Sequence, residues 1–150
     1  MPNKADLLTH TANFFEMHWG QDNPPPEWDF SWKWKGSVPN FLLGGVYALF
    51  KGDDLIYIGL GSSRGGGRYQ DRGISRRLMS HVYRNAPEGL EVSYVPRERW
   101  DKEHAGIDLV ATIGFHKELN YLAPALEDYL IGKINPPENS MKRNDSQRAP

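Results

Sequence analysis

The chain has 150 residues, 39% of them hydrophobic, and a formal net charge of -1, which fits one compact domain with its own core. It contains no cysteine, so disulfides, thiolate zinc sites and cysteine nucleophiles are excluded and a reducing compartment is favoured. No apolar run approaches the ~20 residues of a membrane-spanning helix, and Met1-Pro2-Asn3-Lys4-Ala5-Asp6 lacks the charged-then-apolar pattern of a secretion signal, so a cytoplasmic location is expected.

Residues 5–19 predict a helix, because Leu7, Leu8, Thr11, Phe14, Phe15 and His18 recur at spacings of three and four. Asp22-Asn23-Pro24-Pro25-Pro26 ends it as a rigid connector. Trp28, Trp32 and Trp34 follow, interleaved with Phe30, Lys33 and Lys35. These aromatics either lock the N-terminal arm onto the core or stack on unpaired bases.

A hairpin is expected over residues 44–60. Val46, Ala48 and Phe50 alternate on one strand and Ile56, Ile58 and Leu60 on the other, around Lys51-Gly52-Asp53-Asp54. Both apolar sets share a face only if Phe50 opposes Ile56, Ala48 opposes Ile58 and Val46 opposes Leu60. Tyr47 then lies opposite Gly59 and Leu49 opposite Tyr57, which brings both tyrosines onto the other face. A slip of one residue would separate them.

Residues 61–73 read as a loop rich in glycine and arginine. A helix is expected over 75–85, with Ile74, Leu78 and Val82 on its buried side and Arg77, His81 and Arg84 as a cationic stripe. From 64 to 84 the chain carries Arg64, Arg68, Arg72, Arg76, Arg77 and Arg84 against Asp71 alone, a local charge of +5. A solvated helix face would account for such a run, but an excess made of arginine without lysine suits bidentate phosphate contacts better. Strands are expected over 91–95 and 108–115, with a charged loop over 97–106 between them. A last helix is expected over 124–134, with Leu126, Leu130 and Ile134 inward, and residues 140–150 read as a polar tail.

Several familiar sites are absent. Gly61-Ser62-Ser63-Arg64-Gly65-Gly66-Gly67-Arg68 lacks the Lys-Ser/Thr ending of a Walker loop. No dinucleotide fingerprint, His-Glu-x-x-His pair or Gly-x-Ser-x-Gly elbow occurs. His10, His18, His104 and His116 read as structural or exposed, whereas His81 stands one turn beyond Arg77. Glu127, in Ala123-Pro124-Ala125-Leu126-Glu127, reads either as an acid in the first turn favoured by the helix dipole or as a hard oxygen ligand for Mg²⁺.

Taken in order, these residues resemble the GIY-YIG endonuclease family over about residues 44–139. Gly45-Val46-Tyr47 stands for the first motif, with Val in place of Ile, and Tyr57-Ile58-Gly59 reproduces the second. Arg77 and His81 match the helical arginine and the histidine one turn later. Glu127 matches the metal-binding glutamate, and Asn139 in Pro136-Pro137-Glu138-Asn139 matches the asparagine after a proline. The long Arg/Gly loop is more like the restriction-enzyme branch than compact repair nucleases.

The resemblance implies phosphodiester hydrolysis with Mg²⁺ or Mn²⁺ held by Glu127. Arg77 would neutralise the phosphate. Tyr47, helped by His81, would take a proton from the attacking water, because a free tyrosine with a pKa of about 10 is a poor base at neutral pH. Tyr57 would orient water or phosphate, and Asn139 would fix backbone or substrate near Glu127. Arg64, Arg68, Arg72, Arg76 and Arg84 would contact nucleic acid.

The expected fold is α/β (α+β), a small central antiparallel sheet flanked by helices. It divides into an N-terminal helical and Trp-rich extension over 1–40 packed on the core, a nuclease core over 41–139 and a tail over 140–150. The expected partner is duplex or branched DNA, not a membrane, and a homodimer or a specificity partner is left open. The alternatives are a non-catalytic nucleic-acid-binding module and an RNA- or structure-specific nuclease.

Overall fold

In the computed structural model the structure describes residues 1–61, 73–74, 82–85, 93–96 and 106–139. The first helix, α1 (Lys4–His18), begins at a capping box. Asp6 N–H donates to Asn3 Oδ1 at 3.0 Å, and Asn3 N–H donates to Asp6 Oδ2 at 2.9 Å, so two otherwise orphaned amides are satisfied at once. Leu7, Thr11, Phe14 and Phe15 form its buried stripe. Leu8 and His18, expected on that stripe, are exposed, because the buried arc of α1 is narrower than the apolar one.

The central sheet has the order β2-β1-β5, built from β1 (Gly44–Lys51), β2 (Asp54–Gly61) and β5 (Leu109–Phe115), all antiparallel. The hairpin register agrees with the patterning argument from Val46↔Leu60 to Leu49↔Tyr57. It departs at the turn, where Phe50 pairs with Leu55 instead of Ile56 across a shift between Leu49 and Phe50. Ile56 is therefore the extra residue of a bulge. Leu55 joins Phe50 in one core layer and Ile56 crosses to the other.

Both faces of the sheet are covered. On one side Val46, Ala48, Phe50, Leu55, Ile58, Ala111, Ile113 and Phe115 pack against α1 and against α2 (Leu122–Ile134). On the other, Tyr47, Leu49, Ile56 and Val110 pack with Trp32, Val38, Ile74 and Ile107. The tyrosine face, expected to be a surface, is thus a second apolar layer.

The edges are closed as well. At β5, Asp29 N–H donates to the Thr112 carbonyl at 2.8 Å and Thr112 N–H returns the bond at 3.1 Å. At β2, Leu55 N–H donates to the Pro2 carbonyl at 2.8 Å and Glu138 N–H to the Ile56 carbonyl at 2.9 Å. Exposed strand edges invite pairing with other chains, and here residues from the two ends of the described chain meet β2 and Asp29 meets β5.

A second sheet pairs β3 (Val82–Asn85) with β4 (Ser93–Pro96). The helix expected over 75–85 therefore fails at its C-terminal end. Val82 and Tyr83 stand opposite Pro96 and Val95, and β-branched and aromatic residues in an antiparallel ladder favour the extended backbone. Arg84 lies on this strand, so it cannot continue a helical stripe with Arg77 and His81. Arg77 and His81 themselves, with Arg64, Arg68, Arg72 and Arg76, the loop over 62–72 and the tail over 140–150, lie outside the described residues. Helix α2 starts at Leu122, two residues earlier than expected, and keeps Pro124 in its first turn. Among the described residues no helix is long and apolar enough to cross a membrane.

Candidate functional site

Tyr47 and Tyr57 occupy diagonal positions of the β1–β2 ladder, two residues apart across the register Tyr47↔Gly59. Their rings stack with centroids 6.2 Å apart and an interplanar angle of 30°. The ring of Tyr47 lies directly over Gly59, where a Cβ would run into its Cζ and hydroxyl. The glycine of the second motif thus makes room for the tyrosine of the first. Gly45 serves a similar purpose one row along, because a Cβ there would meet the Ile113 carbonyl and come within 2.9 Å of Ile74 Cδ1. Ile74 itself is held by its N–H donating to the Leu43 carbonyl at 3.1 Å.

The two tyrosines differ in access. Tyr47 is 1% exposed, whereas Tyr57 is half-buried at the rim of the same apolar layer, as are Trp34 and Tyr94.

Glu127 lies in the second turn of α2, not the first, so the dipole-capping explanation for an acid there does not apply. It is 6% exposed and belongs to the buried stripe Ala123, Leu126, Glu127, Leu130 and Ile131. The other four pack in the α1-side layer, opposite the tyrosine rings. A carboxylate in an apolar stripe is retained at a desolvation cost unless it is partnered, and Glu127 does make polar contact within the fold. Among the described residues no three His, Cys, Asp or Glu side chains converge. As a hard oxygen donor, the Glu127 carboxylate is of the type that suits Mg²⁺, which keeps most of its shell as water and substrate oxygen.

Asn139 closes the outer edge of β2. Its Nδ2 donates to the Ile58 carbonyl at 2.7 Å, and Ile58 N–H donates to its Oδ1 at 2.9 Å. One side-chain amide thus substitutes for a neighbouring strand. Ile58 lies between Tyr57 and Gly59, so Asn139 fixes the backbone of the second motif.

Trp28, Trp32 and Trp34 separate cleanly. Trp28 is buried and donates Nε1–H to Thr11 Oγ1 at 2.8 Å, and Trp32 is buried in the tyrosine-side layer. Trp34 is only half-buried. It adopts φ 66°, a left-handed conformation that is a genuine outlier for so bulky a residue. Three contacts hold it there. Its ring stacks on Trp32 at 5.0 Å and 29°, its Nε1–H donates to the Asp108 carbonyl at 3.2 Å, and its carbonyl accepts from Tyr94 N–H at 2.8 Å. Tyr94, a rim aromatic that sequence reading passed over, was signalled only by its place in a short strand-like segment.

Comparison with family models, with curated proteins and with solved structures gave no match.

Proposed function

We propose that the protein is a metal-dependent endonuclease of GIY-YIG type that hydrolyses DNA phosphodiester bonds. The observation that carries the reading is the tyrosine pair, stacked at 6.2 Å across the Tyr47↔Gly59 register. Hairpin register puts the two tyrosines on one face, and the ring stacking brings them together there. Their convergence on one face, with Asn139 pinning the intervening Ile58, supports the reading.

In this proposal Glu127 holds the Mg²⁺ or Mn²⁺, which when bound supplies charge stabilisation for the phosphate oxygens. Tyr57, the half-exposed member of the pair, orients the phosphate or the attacking water through its hydroxyl. Tyr47, buried behind it, takes part in proton acceptance with His81, and Arg77 neutralises the phosphate. Asn139 acts as a positioning residue through the β2 backbone.

Cleavage of plasmid, single-stranded, duplex and branched DNA should require Mg²⁺ or Mn²⁺, stop in EDTA and fall by at least about a hundredfold in Glu127→Ala, in line with loss of an essential charge-stabilising group. Robust cutting by Glu127→Ala would end this mechanism. A second reading, a non-catalytic nucleic-acid-binding module, is favoured by the packing roles of Tyr47 and Asn139. It predicts salt-sensitive DNA binding with no cleavage under any metal.

A further inference from the structure

We infer that Trp34, flanked by Lys33 and Lys35, is a stacking platform for an unpaired base, and that this protein therefore engages nucleic acid with a single-stranded segment. The inference deepens the nuclease reading and rests on it for the ligand class, but its test reads binding alone.

The geometry points there through an asymmetry. Trp32 and Trp34 form a stacked pair, yet Trp32 is buried and Trp34 is not. Trp34 is thus the member of the stack with solvent exposure, while one ring face and its Nε1–H are satisfied within the fold. A tryptophan needed only as a lock would be buried like Trp28, which fills that role without backbone strain. Trp34 is instead fixed in a left-handed backbone by contacts to Asp108 and Tyr94, and strained positions that persist are held by their surroundings and cluster at ligand sites.

Location and charge agree. Trp34 packs at the rim of the layer that contains Tyr47, where Tyr57 and Tyr94 are also rim residues, and it is bonded to Tyr94 through the backbone. Lys33 and Lys35 are both exposed. Aromatic faces interleaved with cations are how single-stranded nucleic acid is bound, with bases on the rings and phosphates on the charges. Lysine suits that task because it meets the backbone as a point charge without reading sequence. Duplex DNA offers no free base face, so the platform selects overhangs, flaps, gaps or loops.

The experiment uses the full chain in EDTA, so cleavage plays no part. Two labelled probes are titrated, an oligothymidylate of about ten nucleotides, within the site size of one binding module, and an abasic strand of equal length that keeps the phosphates. The native protein should bind the oligothymidylate at least about tenfold tighter than the abasic strand. Trp34→Leu should bind the two alike, with its abasic affinity unchanged, and Trp34→Phe should keep part of the preference. Paired substitution of Lys33 and Lys35 by Gln should weaken both probes equally. If Trp34→Leu does not fold, photocrosslinking of the native protein to a 5-iododeoxyuridine strand replaces it, and the adduct should map to Trp34. A native protein without base preference, a Trp34→Leu that retains it, or a crosslink mapping elsewhere would overturn the inference. Loss of cleavage in Glu127→Ala with intact base preference would leave both proposals standing, and base preference without any cleavage would remove the nuclease alone.

Discussion

At the scale of single residues, the glycines of the two motifs are explained by what lies over them. A Cβ at Gly59 would collide with the Tyr47 ring, which is 1% exposed. Overpacking a closed core typically costs about 1–3 kcal/mol. Gly59→Ala should therefore lower stability by about 2 kcal/mol in urea unfolding, and adding it to Tyr47→Ala should cost much less, because contacting residues are non-additive. Equal costs in both backgrounds would show that the ring does not set the glycine requirement. The tyrosine pairing was legible in the sequence because one register alone puts both apolar sets together. The bulge at Ile56 was not. Leu55 and Ile56 are both apolar, so alternation cannot say which of them crosses to the second layer.

At the scale of elements, the edge strand β2 depends on side-chain and terminal groups for its outer hydrogen bonds. Asn139 supplies two of them, to Ile58 N–H and C=O, at 2.9 and 2.7 Å. Asn139→Ala should leave both backbone groups unpaired, at a cost of about 2–4 kcal/mol, and speed exchange of the Ile58 amide. Asn139→Asp should do no better, since it keeps the acceptor but sets a second oxygen against the Ile58 carbonyl. Unchanged thermal stability with reduced cleavage would move Asn139 from positioning the strand to touching substrate. The resemblance led to a backbone or substrate partner for Asn139 but not to Ile58, because a backbone partner carries no residue type. The expected helix ends before Val82 for a related reason. Spacing of Ile74, Leu78 and Val82 fits a helix, but Val82 and Tyr83 find a ladder in residues 93–96, and tertiary pairing overrides local periodicity.

At the scale of the molecule, the fold depends on the segment that no motif covers. Residues 1–40 contribute Leu7, Phe14, Phe15 and Trp28 to one layer, and Trp32 and Val38 to the other. Asp29 in the same segment closes the β5 edge. The α+β class follows from the hairpin and the last helix, yet sequence alternation suggested one buried face only. The polar hydroxyls of Tyr47 and Tyr57 mask a second face buried under the N-terminal strap, and β1 in fact reads as the near-continuous apolar run of a strand covered on both sides. The magnitudes decide what removal does. Six large apolar side chains, at about 1.5–3 kcal/mol each, account for about 10 kcal/mol or more, comparable with the whole stability of a domain, about 5–15 kcal/mol. A fragment of residues 41–139 should therefore give no cooperative thermal transition and should aggregate through its bared β5 edge, whereas the same fragment mixed with a peptide of residues 1–40 should recover part of the native signal. A fragment that melts cooperatively near the full-length midpoint, with dispersed amide resonances, would show that the strap is an addition to a self-sufficient core and that the second apolar layer contributes little to folding.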